Sequence, residues 1–201
     1  MKKTFQIGFT LAEVLITLGI IGVVAAMTLP AITASYRKQE ASARTKKFYT
    51  TMLQAIVMAE NDFGPAKDWV RGQNATETFM TYFAPYMKYQ EIKNGTVPIV
   101  YFSDGSFFGL HDGGCLDFCF DVNGIKPPNK NGIDRLYFPL CMSESDRKFW
   151  HGNPDQAFGT YEGRAKTRDE AITLCKNSPL YCSRLLQIDN WEFKSDYPQK
   201  F

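Results

Sequence analysis

Residues 1–30 read MKKTFQIGFTLAEVLITLGIIGVVAAMTLP, and this stretch decides the fold. Glu13 is the one charged residue between Lys3 and Arg37. A helix over residues 14–35 rises about 1.5 Å per residue and can cross a hydrocarbon core of about 30 Å. A carboxylate at the centre of such a helix costs about 2.5–3.5 kcal/mol. The stretch therefore predicts a membrane-spanning helix in which Glu13 has a functional role and a partner.

Three other interpretations compete for this stretch: an ordinary cleaved signal peptide, a plain membrane anchor and a buried core helix. A signal peptide has an uninterrupted apolar region followed by a small-residue cleavage site. Glu13 interrupts the apolar region, and no good A-x-A site follows before Arg37. For an anchor, five basic residues follow the segment closely and two precede it, which by the positive-inside rule places the remainder of the chain in the cytoplasm. The five cysteines cluster in the second half of the chain and instead favour an extracytoplasmic head with disulfides.

Composition limits the function of the remaining chain. With 201 residues, 44% hydrophobic and 22% charged, it suits one globular domain plus the apolar segment. Up to Asp62 there are seven basic and four acidic residues, and beyond it 16 basic and 17 acidic residues. The net charge of +2 therefore resides in the N-terminal part. The head has no basic excess to indicate binding of nucleic acid.

The residues around the N-terminal carboxylate carry a family resemblance. Gly8-Phe9-Thr10-Leu11-Ala12-Glu13-Val14-Leu15-Ile16, behind a short leader with Lys2 and Lys3, resembles the cleavage and methylation signal of type IV pilins and type II secretion pseudopilins. The resemblance implies a leader peptide at 1–8, cleavage between Gly8 and Phe9 by prepilin peptidase, and N-methylation of Phe9 by the same enzyme.

The resemblance also implies a location and partners. We expect a single-pass protein of the bacterial inner membrane, with a cytoplasmic N-terminus and a periplasmic or extracytoplasmic head. This orientation is opposite to the one that the positive-inside rule gives for the flanking basic residues. Its partners would be prepilin peptidase/N-methyltransferase, other copies or homologous pilin-like subunits, and the inner-membrane assembly machinery. The expected function is polymerisation into a pseudopilus for type II secretion. The alternatives are a type IV pilus or DNA-uptake pilin, and a membrane-anchored binding or enzymatic domain that never polymerises.

Cleavage would give Glu13 a partner, because it creates an amine at Phe9. Residues four apart lie on one helix face, so a pair within one chain is open to them. The resemblance instead implies pairing of Glu13 with the Phe9 amine of a neighbouring subunit. Either pairing removes an isolated charge from a medium of low dielectric constant. The alternative is that Glu13 only reaches back to the membrane interface.

The helix is expected to extend over residues 9–63, with about 9–35 in the membrane. Pro30 predicts a kink, because proline lacks an N–H and crowds the preceding turn. Gly19 and Gly22 allow close approach of other helices. An apolar stripe then predicts packing against a head; its members are Tyr36, Phe48, Met52, Ile56, Ala59 and Phe63. Gly64-Pro65 predicts the end of the helix near Phe63.

The head, residues 64–201, reads as mixed α and β. After a loop at 64–76, helical spacing predicts a short helix over 77–87. Four strands are predicted, over 98–103, 106–111, about 116–122 and 135–141, with Asp104-Gly105 as a two-residue hairpin turn. Thr167-Arg168-Asp169-Glu170 predicts a capping box that begins a later helix. The fold class is therefore α+β with an antiparallel sheet, and the resemblance implies a pilin-like lollipop.

The thiols can be sorted by geometry. Cys115 and Cys119 are four apart in a predicted strand, hence about 13 Å apart, too far for the 4.4–6.8 Å Cα separation of a disulfide. Between Cys175 and Cys182, Asn177-Ser178-Pro179 predicts the end of one helix and the start of another, a bend that can bring the two together. We therefore expect a Cys175–Cys182 disulfide, and pairing of Cys141 with Cys115 or Cys119. One thiol stays unpaired or bonds another molecule.

One loop invites a metal hypothesis. Asp121, Asn123 and Asp134 offer the hard oxygen ligands that calcium takes, and some pseudopilins bind calcium in a head loop. The spacing is not that of an EF-hand, and Asx residues beside Gly and Pro also form ordinary tight turns. No cofactor other than calcium is suggested.

Enzymatic activity is not expected. The sequence has two histidines, His111 and His151, and neither lies in a recognised nucleophile or zinc motif. No glycine-rich phosphate-binding loop is present in the sequence. The C-terminal aromatics Trp191 and Tyr197 are expected to close the core of the head.

Overall fold

A computed structural model describes residues 9–162 and 165–200. The predicted leader 1–8, and with it the cleavage-site residue Gly8, lies outside the described residues. The fold is α+β, with a long N-terminal helix and a five-stranded antiparallel sheet. The helices are α1 (Leu11–Phe63), α2 (Ala75–Tyr82), α3 (Glu144–Trp150), α4 (Arg168–Asn177) and α5 (Cys182–Ile188). The strands are β1 (Glu91–Lys93), β2 (Ile99–Tyr101), β3 (Phe107–Asp112), β4 (Leu116–Asp121) and β5 (Arg135–Leu140).

Helix α1 is shared by two compact units, which meet between Arg37 and Lys38. Its first part, up to Arg37, is the apolar segment and belongs to the N-terminal unit. Its second part belongs to the C-terminal unit, the head. The helix ends at Phe63, as the sequence predicts, because Gly64 adopts a φ of +76° that other residues rarely adopt.

The second part of α1 forms the centre of the core of the head. Its buried residues recur at intervals of mostly three or four: Ala41, Thr45, Phe48, Met52, Ala55, Ile56 and Ala59. The ring of Phe48 stacks on Phe120 with centroids 4.2 Å apart and also contacts Phe108 and Phe138 at 5.4 and 5.3 Å. The helix is therefore a structural part of the head.

Two members of the predicted stripe are wrong. Tyr36 is 65% exposed, because it lies in the N-terminal unit, outside the core of the head. Phe63 is 47% exposed, because it is the last helical residue; its ring contacts the Tyr82 ring edge to face. The predicted apolar stripe is therefore longer than the part of α1 that is buried in the core, and it exceeds that part at both ends.

The sheet is an antiparallel meander in the order β1-β2-β3-β4-β5. Alternate residues of the strands face the core, as the period of two in a strand requires. The large hydrophobic side chains buried in this way are Val100, Phe108, Leu110, Leu116, Phe118, Phe120, Leu136, Phe138 and Leu140. In the register of β3, β4 and β5, Phe108 lies opposite Phe120 and Phe118 opposite Phe138. Cross-strand aromatic pairs thus stabilise the centre of the sheet.

Three local predictions were wrong or incomplete. The helix predicted over 77–87 begins at Ala75, because Asn74 caps it by accepting from the Glu77 N–H at 2.9 Å. It ends at Tyr82, and residues Ala84–Tyr86 form a separate short 3-10 turn that contains Pro85. Strand β1 and helix α3 were absent from the prediction.

The Asp104-Gly105 turn is a three-residue hairpin loop, not the two-residue turn predicted. The Phe102 N–H donates to Ser106 O at 2.9 Å, and the Gly105 N–H donates to Phe102 O at 3.1 Å. Gly105 takes a φ of +84°, the left-handed position of this loop type. The Asp104 carboxylate, which accepts from the Ser106 N–H at 3.1 Å and Oγ at 2.6 Å, favours the wider loop.

The C-terminal segments complete the core on the far side of β5. Residues 157–159 lie along the outer edge of β5, where the Cys141 N–H donates to Ala157 O at 2.7 Å. Helix α4 begins with the capping box predicted at Thr167 and Glu170, which is confirmed. Trp191 is buried against Tyr49 with ring centroids 4.8 Å apart, and the hydroxyl of the buried Tyr197 donates to Gly132 O at 2.5 Å.

Candidate functional site

The start of α1 positions the single carboxylate of the apolar segment. Glu13 Oε2 accepts hydrogen bonds from Thr10 N at 2.9 Å and from Thr10 Oγ1 at 2.8 Å. The Glu13 N–H donates in return to Thr10 Oγ1 at 3.3 Å. These reciprocal bonds are those of a capping box, which satisfies free N–H groups at a helix start. In the part of the chain that the structure describes, the other carboxylate oxygen, Oε1, accepts no hydrogen bond.

Thr10 is a site residue that the sequence reasoning missed. The signal was present, because Thr10-Leu11-Ala12-Glu13 has the T-x-x-E pattern of a capping box. The motif fixes the Glu13 carboxylate at the N-terminal end of α1. Phe9, the predicted mature N-terminus, directly precedes Thr10 and is 89% exposed.

No other described residues, within 9–162 and 165–200, cover the apolar part of α1. Its large side chains are exposed, from 45% at Val14 to 80% at Leu11. By length and composition α1 can cross a membrane: an 18-residue window has a mean hydropathy of 2.3, and none of that window is buried. The segment is compatible with a single-pass anchor near the N-terminus.

The residues of the predicted kink and the predicted close helix approach, Pro30 and Gly19 with Gly22, lie within this exposed segment. Helix α1 continues through Pro30, and Thr33 Oγ1 donates to Pro30 O at 3.0 Å. Among the described residues, a Cβ added at Gly19 or Gly22 would meet no atom within 4 Å. Both glycines therefore present bare backbone to whatever surrounds the helix.

Two disulfides stabilise the head. Cys175 is bonded to Cys182, with a Cα separation of 4.5 Å, across the bend at Asn177-Ser178-Pro179. Cys115 is bonded to Cys141, with a Cα separation of 4.4 Å, which decides between the two partners that the sequence left open for Cys141. Cys119 is the free thiol of the described chain, half-buried on β4. Burial raises the pKa of this thiol, so it is protonated at neutral pH and is not an activated nucleophile.

The loop between β4 and β5 contains the three residues of the calcium hypothesis. Asp121 Oδ2 accepts from Arg135 Nε at 2.8 Å, and its Oδ1 accepts from the Asn123 N–H at 3.3 Å. The two oxygens of Asp134 accept the backbone N–H groups of Asn129 and Lys130 at 2.8 and 2.6 Å.

These bonds match the turn-forming interpretation and leave a poor donor set for calcium. Burial raises the pKa of Asp121, and the hydrogen bond from Arg135 opposes that rise. The cation beside Asp121 is thus a guanidinium of the chain itself. Among the described residues, no group of three His, Cys, Asp or Glu side chains is placed to hold a metal. The calcium site at Asp121, Asn123 and Asp134 stays a prediction, and no role is assigned to calcium.

Comparison with known proteins assigns the chain to a family. A family model described as "Family of unknown function (DUF6613)" matches residues 31–201. The chain belongs to this family. No curated protein and no solved structure matches it. The range matched to DUF6613 includes both disulfides and the β4–β5 loop, whereas the pilin-like motif at residues 8–16 precedes it.

The two histidines of this DUF6613 member occupy different environments. His151 is buried beside α3, with Nδ1 3.2 Å from Thr160 O, and burial lowers the pKa of its imidazole. His111 is exposed on β3 and lines an open cleft of about 810 Å³ beside Glu77 and Asp112. The carboxylate of Asp112 is paired with Arg71. Neither histidine is hydrogen-bonded to a serine, a threonine hydroxyl or a cysteine in the described residues.

The disulfide arrangement is open to direct test. Peptide mapping without reduction should find Cys175 joined to Cys182 and Cys115 joined to Cys141, with Cys119 alone alkylated after unfolding. Removing the first bridge with Cys175→Ala and Cys182→Ala should lower the free energy of unfolding by about 2.5 kcal/mol, the chain-entropy value for a loop of about eight residues. Free alkylation of Cys175 and Cys182 in exported protein would contradict the arrangement.

Proposed function

We propose that this chain is a pilin-like structural subunit, processed by prepilin peptidase, that polymerises into a pseudopilus or pilus, with type II protein secretion as the system it serves. The carrying observation is the N-terminal site. A pilin-like signal at residues 8–16 leads directly into α1, whose large apolar side chains are exposed up to Tyr36. The one carboxylate of this apolar part, Glu13, is fixed at the helix start.

The exposed segment supports assembly because it leaves two requirements unmet. Its apolar surface needs a bilayer or other helices, and Glu13 at membrane depth needs a cation. The Phe9 amine that cleavage creates would supply the cation, and the bare backbone at Gly19 and Gly22 would let neighbouring helices approach closely. The partners in this proposal are other copies or homologous subunits, prepilin peptidase and the inner-membrane assembly machinery.

The head supports the proposed location. Two disulfides in a head of this size favour an oxidising compartment. In the proposal, the N-terminus therefore stays in the bacterial cytoplasm, α1 crosses the inner membrane once, and the head lies in the periplasm. No enzymatic step is proposed, since the protonated Cys119 and the neutral, buried His151 lack the surroundings of a catalytic pair.

The mature N-terminus tests the proposal. Sequencing protein isolated from membranes should give N-methylated Phe9, and Gly8→Leu should leave an uncleaved, unassembled precursor. Gly19→Leu is the matched control, since it makes the same substitution inside the helix and should leave cleavage intact. A processed product that begins near Ser35 would instead identify an ordinary secretory signal. A mature chain that starts at Phe9 and never crosslinks to another subunit would favour an anchored domain that does not polymerise.

A further inference from the structure

The loop between β4 and β5 carries the most exposed large apolar side chain among the described residues of the head. Ile125 is 87% exposed, at the tip of the loop. Lys126, Pro127, Pro128 and Lys130 beside it are also exposed. We call residues 125–130 the loop tip. The loop tip combines the exposed aliphatic side chain of Ile125 with the ammonium groups of Lys126 and Lys130.

Hydrogen bonds hold the loop tip in place. Asp134 accepts the backbone N–H groups of Asn129 and Lys130, as described above. Asn129 Nδ2 donates to Ile125 O at 3.1 Å, and Arg135 Nη2 donates to Asn129 Oδ1 at 3.0 Å. The exposure of Ile125 is therefore a feature of an ordered loop, whose presentation costs little further ordering entropy when a partner binds.

The root of the loop lies at the end of the head where α1 enters it. Arg44 Nη1 donates to Val122 O at 2.9 Å, at the start of the loop, and to Asp104 O at 3.2 Å. The other end of the sheet is bound by Arg71, which donates to Gly113 O at 2.5 Å.

The charges near the loop tip leave it net cationic. Asp121 pairs with Arg135 at 2.8 Å, and Asp104 pairs with Lys47 at 3.1 Å. Lys126 and Lys130 form no ion pair within the described residues. Against their two exposed charges stands one carboxylate, that of the buried Asp134, which accepts from backbone N–H groups of the loop tip. An anionic surface is therefore the partner that complements them.

We propose that the loop tip docks on the surface of the bilayer that anchors the chain, with Ile125 in the headgroup region and both lysines on anionic phospholipid headgroups. Interfacial segments of this kind combine buried apolar side chains with Lys or Arg. A protein partner suits the tip less well, because stable protein interfaces bury about 800 Å² per partner and are depleted in lysine. The inference rests on the membrane anchoring of the proposed function and not on polymerisation.

The test uses the full chain reconstituted in nanodiscs. Ile125→Trp is measured in bilayers that contain phosphatidylglycerol and lipids brominated near the top of the acyl chain, with the fluorescence of the three native tryptophans subtracted. The matched control is Val70→Trp, since Val70 is 78% exposed and adjoins Arg71 at the other end of the sheet. We expect bromine quenching at position 125 and none at position 70. Lys126→Gln and Lys130→Gln should each lower the ratio of docked to free loop about fivefold, corresponding to about 1 kcal/mol per cation at an anionic surface.

Each contrary result has a definite meaning. Equal quenching at both positions, or none at either, overturns the docking. Quenching that persists unchanged in bilayers of phosphatidylcholine alone overturns the role of the lysines. Loss of filaments in Ile125→Asp without quenching in Ile125→Trp assigns the loop tip to a protein partner and overturns the proposal. Failure of the wild-type chain to enter nanodiscs counts against the membrane anchor itself, whereas an anchored but unquenched chain counts only against the docking.

Discussion

Subunits carrying Glu13→Leu or Glu13→Gln should be inserted and cleaved but should fail to form filaments. If Glu13 neutralises the Phe9 amine of a neighbouring subunit, removing the carboxylate leaves that amine unpaired in a low-dielectric medium. Breaking a buried ion pair in this way typically costs about 3–5 kcal/mol, about two to four powers of ten in an association constant. If Glu13 only reaches the membrane interface, Glu13→Leu should assemble as well as wild type or better, since an apolar residue is favoured at that depth.

The capping box gives Glu13 a second role, which these variants must separate from the first. Glu13→Gln removes the charge, but a glutamine at this position can still accept from Thr10 N and complete the capping box. Thr10→Ala is its matched counterpart, because it removes the threonine hydroxyl of the cap and leaves the charge. Losing such a cap costs about 0.5–2 kcal/mol of helix stability. The charge-pair mechanism therefore predicts that Glu13→Gln blocks assembly and Thr10→Ala does not.

The measurement has two parts. An immunoblot of membrane fractions reports processed protein, and crosslinking or shearing reports filaments. Processed Glu13→Gln subunits that crosslink into filaments as well as wild type would refute the charge pair and leave helix packing around Gly19 and Gly22 as the basis of assembly. A defect in Thr10→Ala as severe as that in Glu13→Gln would assign the role of Glu13 to helix capping.

The features predicted best from the sequence depend on neighbouring residues. The end of α1 at Gly64, the capping box at Thr167 and the bend that joins Cys175 to Cys182 all arise within a few positions of the chain. Backbone conformation and hydrogen bonds between near neighbours decide them. A single sequence therefore contains the information needed.

The features that were missed or left open depend on distant residues or on competing local bonds. Cys141 could be paired with Cys115 only once β4 and β5 were aligned, because both candidate thiols lie in the same part of the chain. Strand β1 has three residues, too few for an alternating pattern, and exists because β2 pairs with it. At the candidate site, Glu13 could be identified from its isolation in the apolar segment, whereas Arg135 as the cation beside Asp121 required the fold.

Phe48→Ala should produce the largest loss of stability of any single change considered in the head. Phe48 is 3% exposed on the second part of α1, and its ring contacts Phe102, Phe108, Phe120 and Phe138. Truncating a buried phenylalanine removes its transfer free energy and leaves a cavity, at a cost of about 3–5 kcal/mol. Denaturant unfolding of the full chain in detergent, followed by near-UV circular dichroism, should show this as a lower midpoint at unchanged slope.

The matched control is Val57→Ala, on the same helix but 61% exposed, for which we expect a change within about 0.5 kcal/mol. The comparison tests whether the second part of α1 is part of the head or only a support for it. A loss below about 1 kcal/mol for Phe48→Ala would show that the sheet and C-terminal helices are stable without the helix. The expected large loss would mean that the head cannot detach from α1 without unfolding.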